Sequence, residues 1–202
     1  MTKRAFDLVL AGVGLLVLSP LLVLVAAWIR LDSPGPALFR QERVGRYGRP
    51  FTMLKFRSMR AAAASGDPLL TAESDIRVTR AGKFLRRTKL DELPQLLNVV
   101  RGEMSLVGPR PEVARYVELY PPHVRATVLS VRPGITDYAA LAFRDESALL
   151  GRTDPEGVYV ETILPRKLEL YQRYVAEQSL GTDLRLIFLT LRTLVRRDVA
   201  PP

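Results

Sequence analysis

Two adjacent carboxylates, Asp91 and Glu92, are the residues of this chain best placed to do chemistry. If Asp91 is the N-cap of a helix, Pro94 lies in the first turn and the helix runs to about Val100. The helix dipole and the free N–H groups at such a start favour an ionised carboxylate. An ionised aspartate can attack phosphorus, and a neighbouring glutamate can hold Mg²⁺ against a diphosphate. The alternative is a structural N-cap, which is the common role of such an aspartate.

Cations near this pair are candidates for binding an anionic substrate. Arg110 stands between Pro109 and Pro111, which limit its backbone freedom. Lys55 and Arg57 alternate along a predicted strand and therefore share one face. Arginine and lysine side chains both bind phosphate groups. The plainer alternatives are an ordinary tight turn and a solvated strand face.

The remaining polar candidates are weaker. Asp145 and Glu146, which follow Arg144, form either a second carboxylate pair or a helix start, and the helix start is slightly favoured. His123, the single histidine, follows two prolines and is interpreted as a surface residue. The sequence has no glycine-rich phosphate loop and no zinc-ligand spacing.

The composition indicates anionic partners. The formal net charge is +9, and most of the 30 basic residues are arginines. Nucleic acid, phosphorylated metabolites and anionic lipid headgroups all fit such a charge. The chain has no cysteine, which excludes disulfides and thiolate chemistry and fits a reducing compartment. Its 202 residues are enough for one domain with a real core.

An apolar segment without charges runs from Leu8 to Ile29, long enough to span hydrocarbon as a straight helix. Pro20 in its middle predicts a break, which Ser19 could help to satisfy by bonding back to a carbonyl. Basic residues flank both ends, so both ends are expected on the cytoplasmic side. We therefore predict a re-entrant helix over residues 1–32, with a true span, a signal peptide and a buried core helix as the alternatives.

The rest of the chain, residues 33–202, is predicted to form a cytoplasmic catalytic domain. Two short strands surround a turn at 45–49, and residues 61–75 lack periodicity and are predicted to form a mobile loop. The predicted strands are Ala37–Val44 and Phe51–Arg57, and the predicted helices are Arg77–Arg87, Tyr116–Ser130, Thr162–Glu177 and Leu184–Arg197. The predicted fold class is therefore α+β and mostly helical, with a small β-hairpin.

The last predicted helix is basic and amphipathic. Its apolar face is formed by Leu184, Ile187, Phe188, Leu191 and Leu194–Val195. Such a pattern suits a helix that lies in a membrane interface. A helix packed on the protein core explains the pattern equally well.

Several ordered motifs resemble the bacterial sugar transferases that act on polyprenyl phosphate, the small monotopic phosphoglycosyltransferases. The resemblance covers almost the whole chain. The matching motifs are Lys3–Asp7, Ser19–Pro20, Ser33–Pro36, Arg40–Gly45, Lys55–Met59, Asp91–Leu96, Val107–Pro111 and Arg132–Thr136.

This resemblance implies an enzyme on the cytoplasmic face of the inner membrane, in contact with membrane lipids. It implies transfer of a sugar 1-phosphate from a UDP-sugar to polyprenyl phosphate, with Mg²⁺ and a covalent aspartyl intermediate. Asp91 would be the nucleophile, Glu92 its partner near the metal, and Arg110 a contact of the donor's phosphates or nucleotide. Ser19–Pro20 would make the membrane helix re-entrant. No nucleic-acid partner is expected.

The match is not complete. After Pro-Gly-Ile-Thr, many members have Gly-x-Ala-Gln-Val, whereas this chain has Asp137–Leu141. This stretch could shape the sugar pocket, so the sugar stays open. The rival class is a non-enzymatic, membrane-anchored basic module that binds anionic lipid or nucleic acid, but such a module gains nothing from Asp91 and Glu92. A second rival is a hydrolase that releases sugar phosphate to water.

Overall fold

The computed structural model describes residues 2–60, 75–150 and 153–195, and the predicted loop at 61–75 lies almost wholly outside them. The described part is α+β and mostly helical, which confirms the predicted fold class. Its helices are α1 Thr2–Asp32, α2 Arg80–Thr88, α3 Gln95–Arg101, α4 Ala114–Val117, α5 Pro122–Val128, α6 Tyr138–Ala142, α7 Glu146–Leu149, α8 Pro155–Val158, α9 Leu164–Glu177 and α10 Leu180–Val195. Its strands are β1 Leu38–Val44, β2 Pro50–Phe56, β3 Ser105–Val107 and β4 Gly134–Thr136.

The helix α1 continues through Pro20 without losing its helical structure. The predicted break at Ser19 and Pro20 is therefore not present in the backbone. Pro20 lacks the N–H that would bond to the carbonyl of Leu16, four residues earlier. The Ser19 hydroxyl donates to that same carbonyl oxygen at 2.8 Å and replaces the missing bond. The proline is thus compensated within the helix, and the re-entrant topology stays a prediction.

One stripe of α1 packs on the rest of the protein along nearly its whole length. Ala11 contacts the core near Met53, and Ile29 contacts the core near Leu85. The opposite side is apolar and exposed, and it is 77% exposed at Leu16. The helix is long and apolar enough to cross a membrane. A large apolar surface therefore faces outward on one side of the protein.

Two small sheets support the site. The hairpin β1–β2 is antiparallel, with Leu38 opposite Phe56, and confirms the predicted strands to within one residue. The strands β3 and β4 are parallel, with Ser105 opposite Gly134. This second pair was not predicted, because three-residue strands carry too few alternating positions to be recognised.

The predicted helix Tyr116–Ser130 is wrong. The structure has two short helices, α4 and α5, separated around Tyr120 and Pro121. Pro121 and Pro122 have no backbone N–H to donate, so a helix cannot continue through them, and α5 begins at Pro122 instead.

The predicted C-terminal helices are confirmed for the described residues. A π-helical turn at Tyr159–Ile163 leads into α9, whose Tyr171 is fully buried. In α10, Leu186 is buried in the core while Phe188 is 64% exposed. The helix therefore packs on the core, as one interpretation expected, and its exposed apolar side chains leave the membrane-interface interpretation a prediction. Arg196 and Arg197 lie outside the described residues.

Candidate active site

The two carboxylates lie on a tight turn between two helices. Lys89 ends α2 in the left-handed conformation, with φ of 57°, and reverses the chain. A single 3-10 turn, Leu90–Glu92, then carries both carboxylates, and α3 begins only at Gln95. The predicted N-cap role of Asp91 is therefore wrong, because Pro94 takes that position and no side chain caps the helix.

Asp91 is buried and poorly solvated. It is 8% exposed, and its Oδ1 atom is buried without a hydrogen-bond partner among the described residues. Burial raises the pKa of Asp91, against the opposing charge of Lys55. The sequence-based expectation that this position favours the ionised form is thus wrong, since no helix start solvates the carboxylate. Asp91 therefore has a buried carboxylate oxygen that no described residue satisfies.

Glu92 is bound tightly by cations. Arg110 donates Nη1 to Oε2 at 3.1 Å and Nη2 to Oε1, and Lys55 donates Nζ to Oε1 at 3.2 Å. Burial by itself would raise the pKa of Glu92, but Arg110 and Lys55 outweigh it and hold this pKa well below its usual range. In turn, burial lowers the pKa of Lys55 although Glu92 opposes it. Glu92 is therefore ionised, and the sequence prediction that Lys55 and Arg110 belong to one site is supported by this geometry.

The turn that carries Arg110 is fixed by backbone contacts to β4. Gly108 N–H donates to Thr136 O, and Gly134 N–H donates to Pro109 O, both at 3.0 Å. A Cβ atom at Gly134 would collide with the backbone of Gly108, so this close approach requires glycine. The carbonyl of Pro111 accepts from Arg43 at 3.1 Å. Direct substrate contacts of Pro109 and Pro111 stay a prediction, but their turn is rigid.

Arg57 lies apart from the carboxylates. Its guanidinium donates to the carbonyls of Ile29 at 3.3 Å, Ser33 at 2.6 Å and Pro34 at 2.5 Å. These carbonyls belong to the end of α1 and the turn after it, so Arg57 fastens that end of the helix. Lys55 and Arg57 were expected to act together on one face, but only Lys55 reaches Glu92.

A second charged network lies in the same cavity and was missed by the sequence analysis. Lys167 Nζ lies 2.6 Å from Glu146 Oε2 and 3.7 Å from Glu112 Oε1. Tyr159 donates its hydroxyl to Glu112 at 2.6 Å, and Arg43 also contacts Glu112, at 3.2 Å. Glu146 is the first residue of α7, as the favoured helix-start interpretation expected, and it also pairs with Lys167.

A signal for this network was present in the sequence. Lys167 falls on the helical stripe formed by Leu164, Leu168 and Tyr171, all of which are buried. A lysine on a core stripe requires a buried partner. This partner is Glu112, which directly follows Pro111 and was not predicted as a site residue.

These groups line one large cavity of about 2530 Å³. Asp91, Glu92, Arg110 and Lys167 lie on its wall, together with apolar residues from α1 and α10 and basic residues from α2. The cavity therefore connects a buried charged centre to the apolar face of the protein.

The residues present fit a magnesium ion that is shared with a substrate. The described part of the chain contains no group of three acidic or histidine ligands. Mg²⁺, however, is commonly held by one or two carboxylates with substrate phosphates and water. Asp91 Oδ1 is unpartnered. In Glu92, Oε1 accepts two bonds and Oε2 accepts one, which leaves one lone pair on Oε2.

The chain is similar to several characterised bacterial proteins. It is 40% identical to the UDP-glucose:undecaprenyl-phosphate glucose-1-phosphate transferase of Escherichia coli (strain K12), over 94% of this chain and 39% of that protein. It is 41% identical to an exopolysaccharide production protein of Rhizobium leguminosarum bv. phaseoli, over 94% of this chain and 92% of that protein. It is 35% identical to the UDP-N-acetylgalactosamine-undecaprenyl-phosphate N-acetylgalactosaminephosphotransferase of Aeromonas hydrophila, over 96% of this chain and 43% of that protein.

The chain thus spans about two fifths of the length of the Escherichia coli and Aeromonas relatives. The family described as bacterial sugar transferases matches residues 1–197. This match includes α1, both carboxylates, the arginine turn and all of α10. The chain belongs to the bacterial sugar transferase family.

Proposed function

We propose that this protein transfers a sugar 1-phosphate from a UDP-sugar to undecaprenyl phosphate. The products are undecaprenyl diphosphate-sugar and UMP, and the reaction is the first membrane step in the synthesis of a polysaccharide or glycoconjugate. The observation that carries the proposal is the buried, unpartnered oxygen of Asp91 next to the ion-paired Glu92. The names of the relatives support the donor and acceptor classes.

In the first step, Asp91 acts as the nucleophile. One of its carboxylate oxygens attacks the phosphorus that bears the sugar. A new P–O bond to Asp91 forms, the bridging P–O bond breaks, and UMP leaves with the bridging oxygen and its electron pair. Arg110 and Lys55 lie beside this carboxylate and stabilise the negative charge on the phosphate oxygens.

In the second step, a phosphate oxygen of undecaprenyl phosphate attacks the same phosphorus. The P–O bond to Asp91 breaks, which releases the lipid diphosphate-sugar and restores the carboxylate. Burial of Asp91 limits access of water to this intermediate and so disfavours hydrolysis. The two anionic substrates need not be bound together, which suits a ping-pong mechanism.

Asp91 and Glu92 would hold a Mg²⁺ ion, which supplies positive charge against the diphosphate. In the structure Glu92 is already paired with Arg110 and Lys55, so its main function is to fix these two cations next to Asp91. Loss of UMP release in excess EDTA, and its recovery on adding Mg²⁺, would support the metal requirement.

We propose that both ends of α1 lie on the cytoplasmic side of the membrane, as the re-entrant prediction requires. Near its start, Lys3 Nζ lies 2.5 Å from Asp183 Oδ2 of α10. Near its end, Arg57 donates to Ser33. A straight spanning helix would place its ends about 30 Å apart across the hydrocarbon. Attachment of both ends to the same charged domain supports a position of both on one side.

The proposed function is tested by measuring UMP release from a panel of UDP-sugars, with undecaprenyl phosphate in neutral-lipid nanodiscs. One UDP-sugar should give lipid diphosphate-sugar in a one-to-one ratio with UMP. Free sugar phosphate in place of the lipid product would indicate a hydrolase. Absence of UMP release with every donor would indicate a binding module.

A further inference from the structure

The helix α2 presents three cations on a single face. Arg80, Lys83 and Arg87 are spaced three and four residues apart, which aligns them along the helix, and all three are exposed. Within residues 2–60, 75–150 and 153–195, none of them forms an ion pair with a carboxylate. We call these three residues the α2 cationic face. It lines the same cavity as Asp91.

The α2 cationic face lies next to the apolar helix. Phe84, at the edge of this face, packs against Trp28 of α1 with ring centroids 5.5 Å apart. Both rings are substantially exposed, at 48% for Phe84 and 40% for Trp28. Asp32, the last residue of α1, accepts a hydrogen bond from the backbone of Ala81 at 3.2 Å. Exposed aromatic rings beside an apolar helix are typical of the membrane–water interface, so the face lies at the level of lipid headgroups.

We propose that the α2 cationic face binds the phosphate of the lipid acceptor and guides it to Asp91. This inference rests on the proposed function and adds the acceptor subsite to it. Two other cations that line the cavity, Lys55 and Arg110, already pair with Glu92. The unpaired cations of α2 are available to a phosphate that carries one to two negative charges. Only Lys89 and Leu90 separate the end of α2 from Asp91, so a phosphate bound at the end of this face would lie near the nucleophile.

The position of this face favours the lipid acceptor over the soluble donor. The phosphate of a polyprenyl lipid lies at the headgroup level while its tail lies in hydrocarbon. The exposed outer side of α1, next to Trp28, offers an apolar surface to such a tail. A UDP-sugar has no apolar part that would bind there, and it suits the buried centre around Arg110.

The test uses the full chain in phosphatidylcholine nanodiscs that contain undecaprenyl phosphate. The double variant Lys83→Glu/Arg87→Glu should raise the acceptor KM, expressed as mole fraction in the bilayer, by roughly tenfold or more, because two phosphate contacts are replaced by repulsion. The UMP burst with donor alone should keep its amplitude and its donor KM. The matched control is Arg125→Glu/Arg166→Glu, which reverses two exposed arginines that do not line the cavity and should behave as the wild type.

Each outcome decides one question. An unchanged acceptor KM, or a donor KM that rises as much as the acceptor KM, overturns the acceptor subsite. If 20% phosphatidylglycerol raises the wild-type acceptor KM as much as the double variant does, the face is a general anionic-lipid site and the proposal is also overturned. If Lys83→Glu/Arg87→Glu loses the UMP burst with donor alone, the acceptor KM is measured on the neutral variant Lys83→Gln/Arg87→Gln instead. Loss of the burst in the wild type would contradict the proposed function instead.

Discussion

Glu92 and Arg110 form a two-point ion pair in which each carboxylate oxygen accepts from a different guanidinium nitrogen. Asp91, the preceding residue, has an oxygen without any partner among the described residues. Neighbouring carboxylates thus have opposite environments. One fixes the local cations and has a lowered pKa, whereas the other is buried with a raised pKa and stays available. This difference supports the roles proposed above, in which Glu92 positions the cations and Asp91 is the nucleophile.

Replacing Arg110 by lysine should reduce donor use strongly while the charge is kept. Lysine cannot make the two parallel bonds to Glu92 or present a fork to phosphate. We expect kcat/KM for the UDP-sugar to fall about 30- to 100-fold, equivalent to about 2–3 kcal/mol. Steady-state UMP release measures this, with the exposed Arg101→Lys as the control. Near wild-type kinetics would show that Arg110 does not bind the donor and is an ordinary turn residue.

Asn98 should be needed for stability, because it joins α3 to the hairpin beneath the site. Its Oδ1 accepts from Leu54 N–H at 3.0 Å, and its Nδ2 donates to Thr52 O at 2.7 Å and to Glu103 at 2.7 Å. Asn98→Ala would leave the buried N–H of Leu54 without a partner and remove the bonds to Thr52 and Glu103, at a cost of about 2–4 kcal/mol in the free energy of unfolding. The melting temperature in detergent should fall by several degrees. An equal fall for Arg101→Ala, exposed on the same helix, would show that the effect is not specific.

Asp137 should make the protein less stable as the pH rises from about 4 to about 6. Burial raises the pKa of Asp137 to about 6, so the folded state retains a proton that the unfolded state has already lost. The contribution of protonated Asp137 to the free energy of unfolding is therefore complete at low pH and is lost as the pH rises from about 4 to about 6. Asp137→Asn keeps an oxygen for the bond from Ala140 N–H, which the aspartate accepts at 2.6 Å.

The Asp137→Asn variant should therefore melt above the wild type at pH 7.5, with a gap that closes towards pH 4.5. The melting temperature measured at several pH values tests this. A gap that does not change with pH would contradict the ionisation of Asp137 as its cause.

The topology of α1 can be tested with single cysteines, since the chain has none of its own. Thr2 and Pro34 flank the helix and are both exposed, whereas Ser33 is buried and bound to Arg57. Neither Thr2→Cys nor Pro34→Cys should react with an impermeant thiol reagent in intact cells, and both should react after the cells are opened. Labelling of either site in intact cells would show a true span.

Much of the architecture could be predicted from local sequence. The hairpin follows from alternation around the turn at 45–49, and α10 follows from its apolar spacing. The composition of Leu8–Ile29 indicated the apolar helix. The bond from Ser19 back to a carbonyl was anticipated, but not that this bond to Leu16 accompanies an unbroken helix through Pro20. The turn that carries Arg110 could be located from the sequence. Its backbone hydrogen bonds to β4 could not be predicted, because they join short segments that lie far apart in the chain.

The residues of the candidate site were predicted more accurately than their ionisation. Asp91, Glu92, Arg110 and Lys55 come together as expected. The pKa direction of Asp91 was wrong, because burial depends on the tertiary fold and no sequence window contains it. Arg57 was misplaced for a related reason, since its carbonyl partners lie more than 20 residues away in sequence.

The central claim is that Asp91 forms a covalent bond to the sugar phosphate, and intact-protein mass spectrometry tests it most directly. The protein is incubated with the preferred UDP-sugar and Mg²⁺ without acceptor lipid, then quenched in acid. The wild type should gain the mass of one sugar phosphate and lose it again when undecaprenyl phosphate is added. Asp91→Asn should show no gain, while Asp145→Asn, an exposed carboxylate at the cavity wall, should still form the adduct. An adduct on Asp91→Asn, or wild-type turnover with no adduct at any time, would contradict the account.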